Sequence, residues 1–429
     1  MTMTLTVFLG SLLAAMALGI PIAHALIMSG VALLIHMNMF DTQILASTLI
    51  DGADNFPLMA IAFFILAGEL MNAGGISKRI IAFAIALVGH VRGGLGYVAI
   101  IASLIFSGLS GSAVADTAAL GAILIPIMAE AGYDRAKSAA LIASAGIIAP
   151  IMPLSVPMII FGVTGNVSIP KLFMSGIFPG LLLCCFLAAT WTWVVRKDQF
   201  LVQPRKSFAE LLQAAKGAIW AFILPIIIIV GLRGGVFTPT EAASIAVFYA
   251  LFVGVAVYRE LKINNICEVL VSAAKTTSIV MFLAAAAMVS SWLIAVANIP
   301  AQLAQMLAPL MDNKIILMFA INIIVLFVGT AMDATPTILI LTPVLMPVVL
   351  KAGIDPIYFG FMFVFNNMIG CLTPPVGTVL NVAAGVGKVS MDDIIKRVMP
   401  YMWIEIVLLL LLTAFPQLVL VPLSFFIGK

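Results

Sequence analysis

The stretch Ser107-Gly-Leu-Ser-Gly-Ser-Ala-Val-Ala-Asp116 interrupts a long apolar segment with small and hydroxylated residues. A related interruption, Gly329-Thr-Ala-Met-Asp333, follows in the second half of the chain. Other residues recur 217 to 221 positions later: Pro21, Pro126, Asp134, Pro153 and Pro179 return as Pro239, Pro343, Asp355, Pro374 and Pro400. The chain therefore contains two repeats of about 215 residues. A repeat interrupted by Gly and Pro is typical of secondary transporters, whose binding site lies between the two halves.

The composition places the chain in a membrane. It is 63% hydrophobic and 9% charged, and runs such as 172–195 and 401–423 are long enough to span a bilayer. Residues 1–77 lack the Lys or Arg that a secretory signal needs, so we expect the first helix to be retained. The four cysteines show neither disulfide nor metal spacing. We therefore predict an all-α polytopic membrane protein.

Basic residues indicate which loops face the cytoplasm. Five of them cluster between the repeats: Arg196, Lys197, Arg205, Lys206 and Lys216. The positive-inside rule places this linker in the cytoplasm. When the predicted spans are followed from the linker in both directions, 16 basic residues lie on the cytoplasmic side and five on the other side. This asymmetry supports an arrangement of five spans and one re-entrant helical hairpin in each repeat, with the second repeat inverted relative to the first. Both chain termini are then expected outside the cytoplasm.

The basic linker also sets the domain boundaries. We predict a first repeat over 1–196, a cytoplasmic linker over 197–217 and a second repeat over 218–429. The hairpins and broken helices are assigned to 95–131, 138–166, 315–350 and 357–386. The segments 80–90 and 301–312 are too short to span and are expected to lie at the interface as arms. We expect the remaining spans to include 5–19, 22–37, 56–72 and one continuous helix from 401, and an acidic outer loop at 41–54.

The breaks are the candidate sites. Backbone groups freed at membrane depth must face protein or a polar cavity, and carbonyls with Ser or Thr hydroxyls are ligands that Na⁺ accepts. We assign one sodium site to Ser107, Ser110, Ser112, Gly146 and Ala149, and a second to Gly329, Thr330, Gly370 and Thr373. Half-helix N-termini at the same breaks favour a carboxylate substrate.

The substrate is assigned to polar residues beside these breaks: Ser155, Asp116, Asp333, Thr378 and Asn381. Each aspartate follows a hairpin tip, where an acid is either an ion ligand or proton carrier, or an N-terminal cap that accepts backbone N–H bonds. The sequence leaves these two roles open. Glu69 and Glu241 lie near helix ends and are interpreted as structural.

The sequence also contains a short motif typical of a different class of protein, the intramembrane serine proteases. Gly108-Leu-Ser-Gly111 has the form of an intramembrane serine protease motif, in which a serine pairs with a histidine. Such a four-residue match arises easily in a Gly/Ser-rich turn, and the repeat explains it better. None of the histidines, His24, His36 and His90, shows ligand spacing, so we do not expect an enzyme.

Five ordered motifs resemble one family. They are Ser110-Gly-Ser-Ala-Val-Ala-Asp-Thr-Ala118, Ser144-Ala-Gly-Ile-Ile-Ala-Pro150, Phe237-Thr-Pro-Thr-Glu-Ala242, Thr342-Pro-Val-Leu-Met-Pro347 and Thr373-Pro-Pro-Val-Gly377. Over its whole length the chain is similar to the large membrane subunit of tripartite ATP-independent periplasmic (TRAP) transporters. One position departs from the family, since this chain has Pro153-Leu-Ser155 where Pro-Pro-Ser is usual; the hydroxyl is kept.

The resemblance implies a function. Family members move an organic acid, delivered by a periplasmic substrate-binding protein, down a Na⁺ gradient across the bacterial inner membrane by an elevator-like motion. A small four-helix membrane subunit joins the scaffold, and we expect it to be a separate chain here. The substrate is expected to be a sugar acid such as sialic acid, with C4-dicarboxylates next. The alternative is a stand-alone sodium-dependent carboxylate transporter of related fold.

Overall fold

The computed structural model describes residues 2–198, 200, 204–374 and 376–427, and within them every regular element is helical. Parts of the predicted linker (199 and 201–203), Pro375 of the second break and the final Lys429 lie outside the described residues. The helices of the first half are α1 (Thr2–Ala17), α2 (Ile22–His36), α3 (Thr42–Ala53), α4 (Met59–Ala73), α5 (Ile76–Val88), α6 (Gly94–Ser110), α7 (Ala113–Glu130), α8 (Arg135–Gly146), α9 (Val156–Thr164) and α10 (Ile169–Val194).

The second half repeats this order in part. Its helices are α11 (Phe208–Arg233), α12 (Pro239–Phe252), α13 (Ile263–Val296), α14 (Ile299–Met311), α15 (Lys314–Ala331), α16 (Ala334–Lys351), α17 (Pro356–Leu372), α18 (Thr378–Gly387), α19 (Met391–Ala414) and α20 (Gln417–Ile427). From the hairpins onward the helix starts recur at spacings of 220 to 222 residues; α7 and α16 begin at 113 and 334, and α8 and α17 at 135 and 356, each pair 221 positions apart. The inversion of one repeat stays a prediction.

The described residues fit a multi-pass membrane protein. By length and composition, eight of their helical segments could cross a bilayer, and two bent helix pairs bring the number to as many as ten. The eight include three legs of the predicted hairpins, namely α7, α15 and α16, each of 18 residues. Their re-entrant course stays a prediction.

Three segments differ from the sequence prediction. The acidic loop at 41–54 is largely the helix α3, because Asp41 caps its N-terminus by accepting from the Gln43 N–H at 2.7 Å. The predicted linker 197–217 becomes helical at Phe208, where Ser207 and Glu210 form a capping box. The expected continuous helix from 401 breaks after Ala414, and α20 turns by 75° relative to α19. Pro416 explains the break, since the residue before a proline avoids the α conformation.

The helices form two packed bodies. The scaffold body contains α1–α4 and α11–α13, in which α13 packs on α2, α3 and α4, and α12 packs on α4. The hairpin body contains α6–α10 and α15–α20, in which α7, α8 and α18 pack together and α15 packs on α17. The two bodies meet mainly where α13 packs on α16 and α4 packs on α6.

The two predicted arms are helices between the bodies. The first arm, α5, packs on α6 and α11, and the second, α14, packs on α16 and α15. An ion pair ties the start of α5 to the scaffold: the Arg79 guanidinium donates to the Glu260 carboxylate at 2.7 Å and lies over the Tyr258 ring. Each arm therefore contacts a hairpin leg.

Candidate functional site

A cavity of about 720 Å³ lies between the two bodies. Both hairpin tips line it, through Ser110 to Ala115 in the first and Asp333 to Thr335 in the second. Residues at or next to both helix breaks line it as well, namely Pro150, Val156 and Pro157 in the first repeat and Met368, Cys371 and Val379 in the second. The scaffold contributes α4 and α13, whose lining residues are Ile65, Gly68, Glu69, Asn72, Thr276, Ile279 and Val280. The cavity is therefore built from both halves of the chain.

Three helix N-termini border this cavity. The first residues of α7 (Ala113 onward), α9 (Val156 and Pro157) and α16 (Ala334 and Thr335) belong to its wall. The first turn of a helix has N–H groups without an intrahelical partner and carries partial positive charge. Three such ends can stabilise an anionic group without a basic side chain.

The first hairpin tip holds a buried carboxyl group. The Ser110 hydroxyl donates to Asp116 Oδ1, and both side chains are buried. The second oxygen, Asp116 Oδ2, has no hydrogen-bond partner among the described residues, and neither has the neighbouring Thr117 Oγ1. Thr117 Oγ1 lies against Gly146 of the broken helix, since a Cβ at Gly146 would be 2.1 Å from it. Unpaired acceptor oxygens therefore face the predicted first sodium site.

The second hairpin tip packs directly on its broken helix. A Cβ at Gly370 would lie 2.7 Å from the Gly329 Cα, so the two backbones touch. Asn367 donates to the Ala334 carbonyl at 3.2 Å, while its Oδ1 has no donor among the described residues. That oxygen faces Gly329, where an added Cβ would be 2.7 Å away. The second predicted sodium site thus gains a buried amide oxygen.

The two aspartates occupy different positions at the N-termini of their helices. Ser112 is the N-cap of α7, so Asp116 lies in the first turn, whereas Asp333 is itself the N-cap residue of α16. At the 221-residue spacing, the counterpart of Asp333 is Ser112. Asp116 is fully buried and Asp333 is exposed. Neither side chain makes a capping hydrogen bond: Asp116 binds the Ser110 hydroxyl, and Asp333 accepts from Thr378 at 3.4 Å.

The other predicted site residues lie around the cavity. Of the sodium and substrate candidates, only Ser110, Ser112 and Asp333 line it. Ser107, Thr330 and Thr373 donate to carbonyls of their own helices, at Leu104, Phe327 and Ile369. Ser155 donates to the Pro150 carbonyl and caps α9, and Asn381 donates to the Val376 carbonyl at 2.7 Å. Gly329 lies near the second hairpin tip and Gly146, Ala149, Gly370 and Thr378 lie at or next to the breaks, and none of these residues lines the cavity.

Several polar residues that line the cavity were not predicted as site residues from the sequence. Glu69, interpreted as structural, lines the cavity and accepts from Ser272 at 3.3 Å, and Asn72, Thr276 and Thr335 line the cavity as well. Thr276 belongs to the polar run Lys275-Thr-Thr-Ser278, and Glu69 and Asn72 are one turn apart in the apolar helix α4. Polarity at membrane depth was the signal that could have indicated these residues.

Two buried polar groups support the helices behind the cavity. Asn366, Asn322 and Thr413 form a hydrogen-bonded chain that joins α17, α15 and α19. Glu405 is fully buried on α19, with neither carboxyl oxygen hydrogen-bonded among the described residues. Interhelical hydrogen bonds like those of the Asn366 chain hold transmembrane helices in one register.

The protease motif does not form a catalytic pair. The Ser110 hydroxyl is bonded to Asp116 and accepts from the Ser112 N–H at 3.3 Å. Within the described part of the chain no cluster of three or more His, Cys, Asp or Glu residues could hold a metal ion. What the site offers is oxygen ligands, helix N-termini and a cavity.

Comparison with known proteins identifies the family. The family model described as "Tripartite ATP-independent periplasmic transporter, DctM component" matches residues 9–418. A relative named "2,3-diketo-L-gulonate TRAP transporter large permease protein YiaN", from Escherichia coli (strain K12), is 52% identical over 98% of this chain and 99% of its own length. "Sialic acid TRAP transporter large permease protein SiaM" of Vibrio cholerae is 40% identical, over 96% of both chains.

A solved structure supports the fold alone. The crystal structure of the Alcanivorax borkumensis YdaH transporter, described as having an unusual topology, aligns with a TM-score of 0.64 at 13% identity, over 90% of both chains.

The resemblance inferred from the five motifs is confirmed, and so are the all-helical multi-pass fold and the expectation of a transporter rather than an enzyme. The chain belongs to the family of TRAP transporter large permease subunits.

Proposed function

We propose that this chain moves an organic acid across the bacterial inner membrane, coupled to Na⁺, by an elevator motion of its hairpin body. The observation that carries the proposal is the cavity of about 720 Å³ whose wall is shared by both hairpin tips, both helix breaks and the scaffold. A site built this way can change the side of the membrane to which it opens when one body moves past the other.

The cavity suits a carboxylate. The N-termini of α7, α9 and α16 supply N–H donors, and Ser112 and Thr335 add hydroxyl groups beside them. Two carboxylates, Glu69 and Asp333, line the same cavity and repel an anion. A cation that enters with the substrate offsets this repulsion, which favours coupled transport over binding of the acid alone.

Sodium is proposed to bind where each hairpin tip meets its broken helix. In the first repeat, the site comprises Ser107, Ser110, Ser112, Gly146 and Ala149, to which the unpaired Asp116 Oδ2 and Thr117 Oγ1 add oxygens. In the second, it comprises Gly329, Thr330, Gly370 and Thr373, to which Asn367 Oδ1 adds another. Hard oxygen ligands of this kind are what Na⁺ accepts at unwound membrane helices.

The elevator motion rests on the division into two bodies. The helices α6–α10 and α15–α20 pack mainly on one another, and α13 with α4 supplies most of the contact to the scaffold. The arms α5 and α14 each contact a hairpin leg, so they are positioned to follow its motion. A rigid hairpin body moving along α13 would carry the bound acid and Na⁺ together.

Two partners are proposed from the family description, which names a tripartite periplasmic transporter. A periplasmic binding protein delivers the acid, and a small membrane subunit, expected as a separate chain, braces the scaffold. For the substrate we propose a sugar acid. Local motifs favour sialic acid, whereas over the whole chain the relative named for 2,3-diketo-L-gulonate is more similar than the one named for sialic acid. C4-dicarboxylates come next, since a relative from Pseudomonas aeruginosa named for them is 36% identical.

The proposal is tested by reconstitution. The chain and its small membrane subunit are placed in proteoliposomes and the periplasmic binding protein is added outside. Uptake of radiolabelled 2,3-diketo-L-gulonate, sialic acid and succinate is then measured under a Na⁺ or a proton gradient. We expect one acid to be taken up, only with Na⁺, with a Hill coefficient for Na⁺ above one and little uptake by the large subunit alone. Uptake driven equally by protons without Na⁺ would refute sodium coupling. Full uptake without partners would favour the stand-alone carboxylate transporter.

A further inference from the structure

A second cavity, of about 340 Å³, lies at the end of α10 and shares no lining residue with the first cavity. It is bordered by the start of α8, the end of α10 with the chain that follows it, and the first turns of α19. Five basic side chains and one carboxylate line it; they are Lys137, Arg196, Lys197, Lys396, Arg397 and Asp198. The transport cycle proposed above does not use this cavity.

The charges in this basic pocket are poorly balanced. Asp198 is already engaged, because its carboxylate accepts from Lys137 Nζ at 2.5 Å. Arg92 donates to the Arg196 and Asp198 carbonyls, at 2.9 and 3.2 Å, which fixes the course of the chain but brings a further cation close. The four remaining basic side chains of the wall have no carboxylate partner among the residues that line it. Such a concentration of ammonium and guanidinium donors matches the several acceptor oxygens of a phosphate group.

The surroundings of the pocket are apolar on one side. Trp193 and Val194 belong to its wall, and Trp193 is 57% exposed with Arg196 over its ring. One turn beyond Pro400, which also lines the pocket, Trp403 begins an exposed stripe of α19 that continues with Val407 and Leu410. Residues three and four apart share one helix face, so this stripe runs continuously from the pocket along the helix. Exposed tryptophans at the end of apolar helices are typical of the membrane interface.

We propose that this pocket binds the phosphate group of an anionic glycerophospholipid, whose acyl chains lie along the exposed face of α19. The basic residues lie on the face that the charge asymmetry places in the cytoplasm, where the inner leaflet supplies anionic lipids. The bound lipid joins α8 and α19 of the hairpin body to the chain that leads into the linker. It therefore stabilises the point at which the hairpin body connects to scaffold helix α11.

The test uses the purified chain in detergent after lipid depletion. Thermal unfolding is followed while phosphatidylglycerol, phosphatidylcholine or inorganic phosphate is added, and retained lipid is identified by native mass spectrometry. We expect phosphatidylglycerol to stabilise the protein and phosphatidylcholine and phosphate to do so weakly. Each basic residue near an anionic lipid contributes about fivefold in affinity, so the double substitution Lys396→Gln and Arg397→Gln should weaken phosphatidylglycerol binding about 25-fold.

The control is Lys216→Gln, which removes an exposed basic residue on the same predicted side but outside the pocket wall. It should bind phosphatidylglycerol within about twofold of the unsubstituted chain. Equal binding by the double variant would overturn the proposed site. Full stabilisation by inorganic phosphate alone would assign the pocket to a soluble anion instead. Equal retention of phosphatidylglycerol and phosphatidylcholine by the unsubstituted chain would overturn the proposal, and this measurement does not depend on the folding of the variants.

Discussion

Gly329 on α15 and Gly370 on α17 touch through their backbones, and a methyl group on Gly370 would lie 2.7 Å from both the Cα and the carbonyl carbon of Gly329. The helices α15 and α17 pack closely on each other, and Asn367 Oδ1 would lie 2.7 Å from a Cβ at Gly329. The second hairpin tip therefore depends on the absence of a side chain at two positions.

The first prediction is that Gly370→Ala destabilises the protein by roughly 1–3 kcal/mol, the usual cost of overpacking. It should also weaken activation of uptake by Na⁺, since it separates the hairpin tip from the broken helix. Gly385→Ala on α18 is the matched control, because an added Cβ there meets nothing within 4 Å. Denaturant unfolding and Na⁺-dependent uptake are measured for both; equal behaviour of the two variants would contradict the prediction.

The second prediction concerns the buried pair at the first tip. Ser110→Ala and Asp116→Asn should each raise the Na⁺ concentration for half-maximal uptake about tenfold, the effect of losing one ligand to a dehydrated ion. Ser112→Ala and Thr330→Val, which remove the other tip hydroxyls, should act in the same direction. Ser175→Ala is the control, since that buried hydroxyl donates only to the Leu172 carbonyl of its own helix. If Asp116→Asn keeps full Na⁺ affinity, the carboxylate is not a ligand.

The third prediction separates the two aspartates. Asp333 makes no capping hydrogen bond and lies in the cavity wall, where its negative charge favours the cation that accompanies the substrate. Asp333→Asn should therefore leave stability unchanged but reduce Na⁺-coupled uptake about tenfold. Asp355→Asn is the control: Asp355 caps α17 by accepting from the Ile357 and Tyr358 N–H groups, and Asn serves as well at that position. Unfolding and uptake at saturating Na⁺ are compared. Asp333→Asn with normal uptake would remove this carboxylate from the mechanism.

The fourth prediction is the topology. In a variant without the four native cysteines, Met3→Cys should react with an impermeant thiol reagent in whole cells, and Arg205→Cys should react only after lysis, because the basic linker is held in the cytoplasm. Both positions are exposed, so access to the reagent depends on the side of the membrane. The reverse pattern would contradict the inverted arrangement of the repeats.

Local signals in the sequence located most of the helix boundaries. The predicted hairpins at 95–131 and 315–350 and the breaks near 146 and 370 lie within a few residues of the helix ends found in the structure. Gly111 has φ of +61° at the end of α6, a conformation that glycine adopts freely. The main differences from the prediction, at α3 and after Ala414, arise from a capping aspartate and from a proline, which act on the backbone locally.

The sequence by itself determined that this is a multi-pass membrane transporter of the TRAP family and where its helices break, because Gly, Pro and capping residues act on the backbone within a few positions. Only the tertiary structure decided which polar residues meet. Asp116 and Asp333 look equivalent in the sequence, yet one is buried against Ser110 and the other faces the cavity. Asn367 lies against Gly329, 38 positions earlier in the chain, and Glu69 lines the same cavity as both hairpin tips. These long-range contacts depend on how whole helices pack against one another, and the local conformational preferences of the chain do not specify that packing.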